Sequence, residues 1–285
     1  MAQELKVLLG RRKDNDGLYF IDLHAMPHAI VGGTTGSGKS TALKCIINQL
    51  IVNYSPKQCQ LYIGDPKLVD FNIYKEKYVI GNELKEIRVP HVKYVANSVA
   101  EHDYMLDHLV RLMDWRFEWM KDNGLTDMKN TPLHPNIVVI VDEFGSLILD
   151  KVMGKRIMEN LNKLTFKGRA AGITVMLATQ HPTREIISSQ IKANCPTRIA
   201  LRVTTAINSM VILDTKGAED LNGYGHMLVS SPYEKGLVEM QGFPKARAVT
   251  EEGYSFDAEC MRYIMRAVKE EYNYKLKKEE EVVVV

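Results

Sequence analysis

The chain has 285 residues, 45% hydrophobic and 25% charged, with a formal net charge of +2. Those are the values of an ordinary globular protein with a substantial core, and so weak a charge neither demands nor excludes nucleic acid; any basic surface must be local. The longest apolar run falls far short of the roughly twenty residues of a membrane-spanning helix, and no N-terminal targeting segment is present, which predicts a cytoplasmic protein. Cys45, Cys59, Cys195 and Cys260 form no CxxC pair and no metal-ligand spacing, so they read as reduced structural thiols.

Residues 1–27 hold one strand signal, GLYFIDL, after the polar turn Lys13-Asp14-Asn15-Asp16-Gly17. His24 and His28 stand four apart, but Pro27 lies between them and the segment leads into a strand, which argues against a metal pair on a helix. HAIVGG is that strand, and it runs into GTTGSGKS, Gly33 to Ser40, which has the phosphate-loop spacing of Gly, four residues and Gly-Lys-Ser/Thr. Glycines let such a loop turn its N–H groups onto phosphate oxygens. Gly33, Thr34, Thr35, Gly36, Ser37, Gly38, Lys39, Ser40 and Thr41 are therefore expected to bind a nucleotide, with Lys39 on the β and γ phosphates and the Ser40 hydroxyl on Mg²⁺. The helix that follows, TALKCIINQL, puts its positive end under the phosphates.

QLYIGD (60–65) reads as a buried strand stopped by Pro66. A helix is expected over 97–123, opened by Ser98 and Glu101 at capping-box spacing and closed by Gly124; His102 and His108 read as its solvated surface. NIVVIVDEF is an apolar run ending in two carboxylates, the pattern of a strand covered on both faces. Asp142 there suits Mg²⁺, directly or through water, and Glu143 suits activation of the attacking water. A helix near 151–168 precedes the strand ITVMLATQ, whose Gln180 ends at the same edge and suits a γ-phosphate sensor. A short helix, the strand RIALRV, the shorter strands HMLVSS, GLVEMQ and ARAVT, a helix over 256–278 and the tail KLKKEEEVVVV complete the chain. Alternating strands and helices predict one α/β domain with a mainly parallel sheet and helices on both faces.

MPHAIVGGTTGSGKST, YIGDPKLVD, NIVVIVDEF, KGRAAGITVMLATQHP, IKANCPTRIALRV and ILDTKGAEDLNGYGHML together resemble the motor domain of the FtsK/SpoIIIE-type DNA translocases, over about residues 5–249. The resemblance implies a RecA-like P-loop ATPase fold of the FtsK/HerA group, with residues 1–254 as motor and 255–285 as a C-terminal helix and charged, valine-ended tail. It also implies ATP hydrolysis with Mg²⁺, a hexameric ring and sequence-independent translocation of double-stranded DNA. The membrane region and the C-terminal winged-helix module of such proteins are not seen, so a bare motor is expected. A phage, plasmid or other mobile element suits it, for genome packaging or DNA transfer, with a membrane or portal protein as partner. Protein secretion by a related ATPase and a nucleotide-dependent scaffold are the alternatives.

The family points to Arg169 as an arginine finger. Arg169 precedes the strand that carries Gln180 at its far end, and seven strand residues span about 23 Å. An arginine is too short to cross that distance, so in a head-to-tail ring Arg169 would serve the next subunit's nucleotide. For DNA, Lys192 matches a basic position of the family, with Arg184 and Lys216 nearby. His181, Ala206 and Met210 replace residues that are usually basic in relatives, so DNA contact is expected to be rearranged.

Overall fold

A computed structural model describes residues 4–242, apart from 69, 72–73, 75–76, 81–82, 87–88, 129–130 and 132–134. The expected strand ARAVT, the helix over 256–278, Cys260 and the tail lie outside the described residues.

The chain opens with β1 (Lys6–Arg12), β2 (Leu18–Asp22) and β3 (His28–Gly32), then α1 (Lys39–Asn53), β4 (Cys59–Gly64), a small hairpin of β5 (Lys77–Ile80) and β6 (Glu83–Glu86), and β7 (Val92–Ala96). α2 (Val99–Asp122), β8 (Asn136–Val141), α3 (Phe144–Ile148), α4 (Gly154–Lys167) and β9 (Ile173–Thr179) follow. The described part ends with α5 (Ser189–Asn194), β10 (Thr197–Leu201), α6 (Ala206–Leu213), a 3₁₀ turn over Ala218–Asp220, β11 (His226–Ser230) and β12 (Leu237–Gln241).

Ten strands form one sheet in the order β2-β1-β12-β11-β10-β3-β9-β8-β4-β7. The six from β10 to β7 are parallel, and β11, β12, β1 and β2 extend the sheet as antiparallel strands. The central strands are buried on both faces. Val138 and Ile140 of β8 join the core under α1, with Leu43, Ile46, Ile47 and Leu50. Ile137, Val139 and Val141 join the opposite core with Leu106 and Leu109 of α2 and Leu161 and Leu164 of α4. That two-sided covering is what the unbroken apolar run signalled.

Besides the β5–β6 hairpin, two strands of the large sheet were not expected from sequence. β1 is one, and its pattern is broken by a register shift between Leu8 and Gly10. A Cβ on Gly10 would sit 2.2 Å from the Gln241 carbonyl oxygen, so glycine is what lets β12 lie alongside. β7 is the other, a short strand at the sheet edge after Pro90-His91.

α2 begins as expected: Ser98 Oγ accepts from Glu101 N at 3.2 Å, and the Glu101 carboxylate accepts from Ser98 N at 3.2 Å. His102, however, is fully buried rather than solvated. Its Nδ1 lies 2.7 Å from the Ser98 carbonyl, and its ring packs where a Cβ on Gly64 would be. Side-chain-free Gly64 draws the imidazole inward. His24 and His28 diverge: His24 Nε2 lies 2.6 Å from Asn136 Oδ1, while His28 Nδ1 accepts from Val175 N at 3.1 Å.

Candidate functional site

The phosphate loop leaves β3 at the carboxyl ends of the parallel strands and enters α1. Gly33 N donates to the Thr179 carbonyl at the end of β9 (3.2 Å), and Thr34 N to the Arg202 carbonyl after β10 (3.0 Å). Both neighbours of β3 thus hold the loop. Gly36 and Gly38 have φ of 77° and 99°, the left-handed region open to glycine. Gly38 is doubly constrained, since an added Cβ would lie 2.5 Å from Gly225 N. Gly225 N donates to the Ser37 carbonyl at 2.8 Å, so the Gly223-Tyr224-Gly225 turn closes over the loop. A cavity of about 420 Å³ opens there, lined among others by Thr35, Gly36, Lys39, Ser40, Tyr224 and Met227.

Several expected residues meet at this edge. Lys39 and Asp142 are both buried and form an ion pair. The second Asp142 oxygen, Oδ2, is buried without a hydrogen-bond partner among the described residues. A buried carboxylate oxygen with spare acceptor capacity, on the residue that pairs with Lys39 next to Ser40 in the chain, fits a hydrated Mg²⁺. Glu143 has φ 46°, a strained conformation for a non-glycine residue. Its carboxylate accepts from Thr179 Oγ1 at 3.0 Å, from Gln180 N at 3.2 Å and from Lys67 Nζ at 3.1 Å. Burial raises the Glu143 carboxyl, while Lys67, Gln180 and Thr179 lower it, and the net direction is down. Gln180 also reaches the loop, accepting from Thr35 Oγ1 at 3.1 Å.

Lys67 and Asp70 had no assigned role in the sequence reading, although their segment YIGDPKLVD contributed to the resemblance. Ser40 Oγ donates to Asp70 Oδ2 at 2.8 Å, and Lys44 Nζ lies 3.6 Å from Asp70. Buried Asp65 shapes their loop by accepting from Lys67 N, Asp70 N and Phe71 N at 3.2, 3.1 and 2.9 Å. The Asp-Pro after a buried strand was the available signal, an aspartate placed to close a turn onto the N–H groups beyond it.

Other expected residues lie elsewhere. Arg169 sits in the turn between α4 and β9, at the end of β9 opposite Gln180; it is exposed and has no ion-pair partner among the described residues. Burial, helped by the Arg169 charge, pushes the His28 imidazole down to about 4. Arg184 and Lys216 are exposed. Lys192 is turned inward, with 16% of its side chain exposed and its Nζ 2.5 Å from Asp214 Oδ1, beside an Arg198–Asp214 ion pair. On α6, Ile207 and Met210 are 72% and 42% exposed. Cys45, Cys59 and Cys195 are buried and form no disulfide among the described residues, and burial pushes Cys59 and Cys195 up to about 12. Among the described residues, no helix is long and apolar enough to cross a membrane.

The FtsK/SpoIIIE family model matches residues 2–133. The chain is 35% identical to the DNA translocase FtsK of Chlamydia trachomatis serovar D over 259 residues, covering 84% of this chain and 30% of that protein. Among solved structures, the pCW3 conjugation coupling protein TcpA, in a monomer form with ATPγS, is similar with a TM-score of 0.71 and 27% identity, covering 86% of this chain and 67% of that one. The cytoplasmic domain of the Thermomonospora curvata type VII secretion ATPase EccC shares the fold, with a TM-score of 0.72 at 21% identity over 91% of this chain and 31% of its own. The chain therefore spans about 30% of the length of the FtsK relative it matches, and its residues 2–133 carry an FtsK/SpoIIIE family domain.

Proposed function

We propose that this chain is the motor portion of an ATP-driven translocase of double-stranded DNA. The observation that carries the reading is the convergence of Lys39, Ser40, Asp142, Glu143 and Gln180 around one phosphate loop. Phosphate binding alone would leave Glu143 without purpose. A carboxylate kept ionised at the end of β8, beside a γ-phosphate sensor, supplies what hydrolysis needs. Glu143 takes a proton from water as the water oxygen bonds to the γ-phosphorus and the bond to the β-phosphate bridging oxygen breaks, leaving ADP and phosphate. Lys39 leaves Asp142 for the β and γ oxygens, and Gln180 orients the water. Ser40 and Asp142 would hold Mg²⁺, which neutralises phosphate charge when bound.

In this reading the protein works as a hexameric ring, and Arg169 of one subunit completes the site of the next. Its exposed position at the far edge of the sheet suits that role. Arg184 and Lys216 are the exposed candidates for DNA phosphates; Lys192 joins them only when released from Asp214. A mobile-element role, packaging or transfer, accords with the likeness to a conjugation coupling protein, and a membrane or portal partner belongs to that picture. One observation favours the protein-secretion alternative: apolar Ile207 and Met210 are exposed on α6, in a segment where the family resemblance implies basic residues.

DNA-stimulated ATPase activity separates the two. A DNA motor grips phosphates without reading bases, so stimulation should be equal for unrelated duplex sequences and should fall steeply as salt rises. ATPase activity indifferent to DNA would sink the DNA reading.

A further inference from the structure

Lys67 lies outside the phosphate loop, on the turn after β4, yet its ammonium is 3.1 Å from Glu143 Oε2. Three features make that contact unusual. The Lys67 side chain is 39% exposed and that of Glu143 only 7%, so the lysine reaches in from solvent to a group that is otherwise enclosed. Oε2 also accepts from Gln180 N at 3.2 Å, and Oε1 accepts from Thr179 Oγ1 and Gln180 N at 3.0 and 3.2 Å. With Lys67 in place, little of the carboxylate is left to hold a water. Finally, the same turn carries Asp70, whose Oδ2 accepts from Ser40 Oγ. One loop therefore engages both the water-activating carboxylate and the hydroxyl of the phosphate loop.

A water poised to attack lies within hydrogen-bond reach of the general base and about 3–3.5 Å from the phosphorus. The γ-phosphate oxygens must then come within a few ångströms of the Glu143 oxygen that Lys67 touches. Two anions would face each other there, and Lys67 is the cation already beside one of them. Its backbone is fixed by the bond from Lys67 N to Asp65 Oδ1 at 3.2 Å, while its aliphatic stem is free to swing.

We propose that Lys67 is a second phosphate-contacting catalytic residue: when ATP binds, its ammonium passes from Glu143 to a γ-phosphate oxygen, so that the nucleotide itself frees Glu143 for the attacking water. The inference rests on ATP binding at the phosphate loop but on neither DNA nor ring formation. A lysine that only props Glu143 would never distinguish a nucleoside triphosphate from a diphosphate.

The test is binding of ADP and of ATPγS to wild type, Lys67→Ala and Lys67→Arg, by displacement of a fluorescent ADP analogue without DNA. One charge-assisted contact to the terminal phosphate predicts that Lys67→Ala binds ATPγS about tenfold more weakly. Its ADP affinity should stay within about twofold of wild type, and Lys67→Arg should recover most of the loss. Melting curves with ADP establish that the variants are folded. Equal weakening of both nucleotides, or of neither, in a folded Lys67→Ala protein overturns the proposal. A wild-type protein that binds neither nucleotide overturns the ATPase reading itself.

Discussion

Glu143 is the residue on which the proposed chemistry turns. It occupies a left-handed conformation, and its carboxylate is held by three donors that lower its proton affinity against the effect of burial. Glu143→Gln keeps the shape and removes the base, so ATP should still bind while turnover falls by on the order of 10²–10⁴-fold. Lys39→Ala should instead lose tight nucleotide binding, because the phosphates lose their main cation. Equilibrium binding and steady-state hydrolysis, measured on both variants, separate these effects; undiminished turnover in Glu143→Gln would remove the base from the account. Lys39, Ser40, Asp142, Glu143 and Gln180 were legible in the sequence because each lies in a short motif or at the polar end of an apolar strand. Lys67 and Asp70 were not, because Asp65 folds their turn back over the site and no local spacing announces such a contact.

At the scale of single elements, strands covered on both faces were readable, and strands defined by their neighbours were not. β8 and β9 announce themselves as unbroken apolar runs, whereas β1 depends on a glycine that accommodates β12 from the other end of the chain. The histidine reading failed for the same reason: His102 looks like helix surface until Gly64 of β4 leaves room for its ring. β3 carries a comparable histidine, His28, buried and pushed down from 6.5 to about 4 chiefly by burial, with a smaller contribution from Arg169. Its folded form stays neutral where the unfolded chain takes a proton. Stability from this group is therefore complete above the unfolded value and is lost as pH falls from about 6.5 towards about 4, at up to about 1.4 kcal/mol per pH unit. Urea unfolding at pH 7.5 and pH 5 should show a larger loss for wild type than for His28→Gln. Equal losses would show that His28 titrates freely in the folded protein.

Across the whole molecule, nucleotide chemistry and Arg169 occupy opposite ends of β9, a strand of seven residues. Within one chain that separation leaves the arginine out of reach of the phosphates; in the proposed head-to-tail ring it would stand at the neighbouring subunit's phosphates. Arg169→Ala and Lys39→Ala proteins, each inactive alone, should recover part of the ATPase activity when mixed, because some interfaces then pair an intact Lys39 site with an intact Arg169. Mixed rings without activity, together with a fully active Arg169→Ala protein, would rule out the role in trans. The sequence carried the α/β class and the edge where the site lies. It could not show that Lys192 turns towards Asp214, since that pairing joins α5 to the end of α6.

If hydrolysis moves the protein along a duplex, displacement of a third strand from a triplex-bearing DNA measures that motion directly. Wild-type protein with ATP and Mg²⁺ should strip the third strand from duplexes of unrelated sequence, and Glu143→Gln should leave it in place. ATP hydrolysis that is stimulated by DNA yet displaces no third strand would contradict the account.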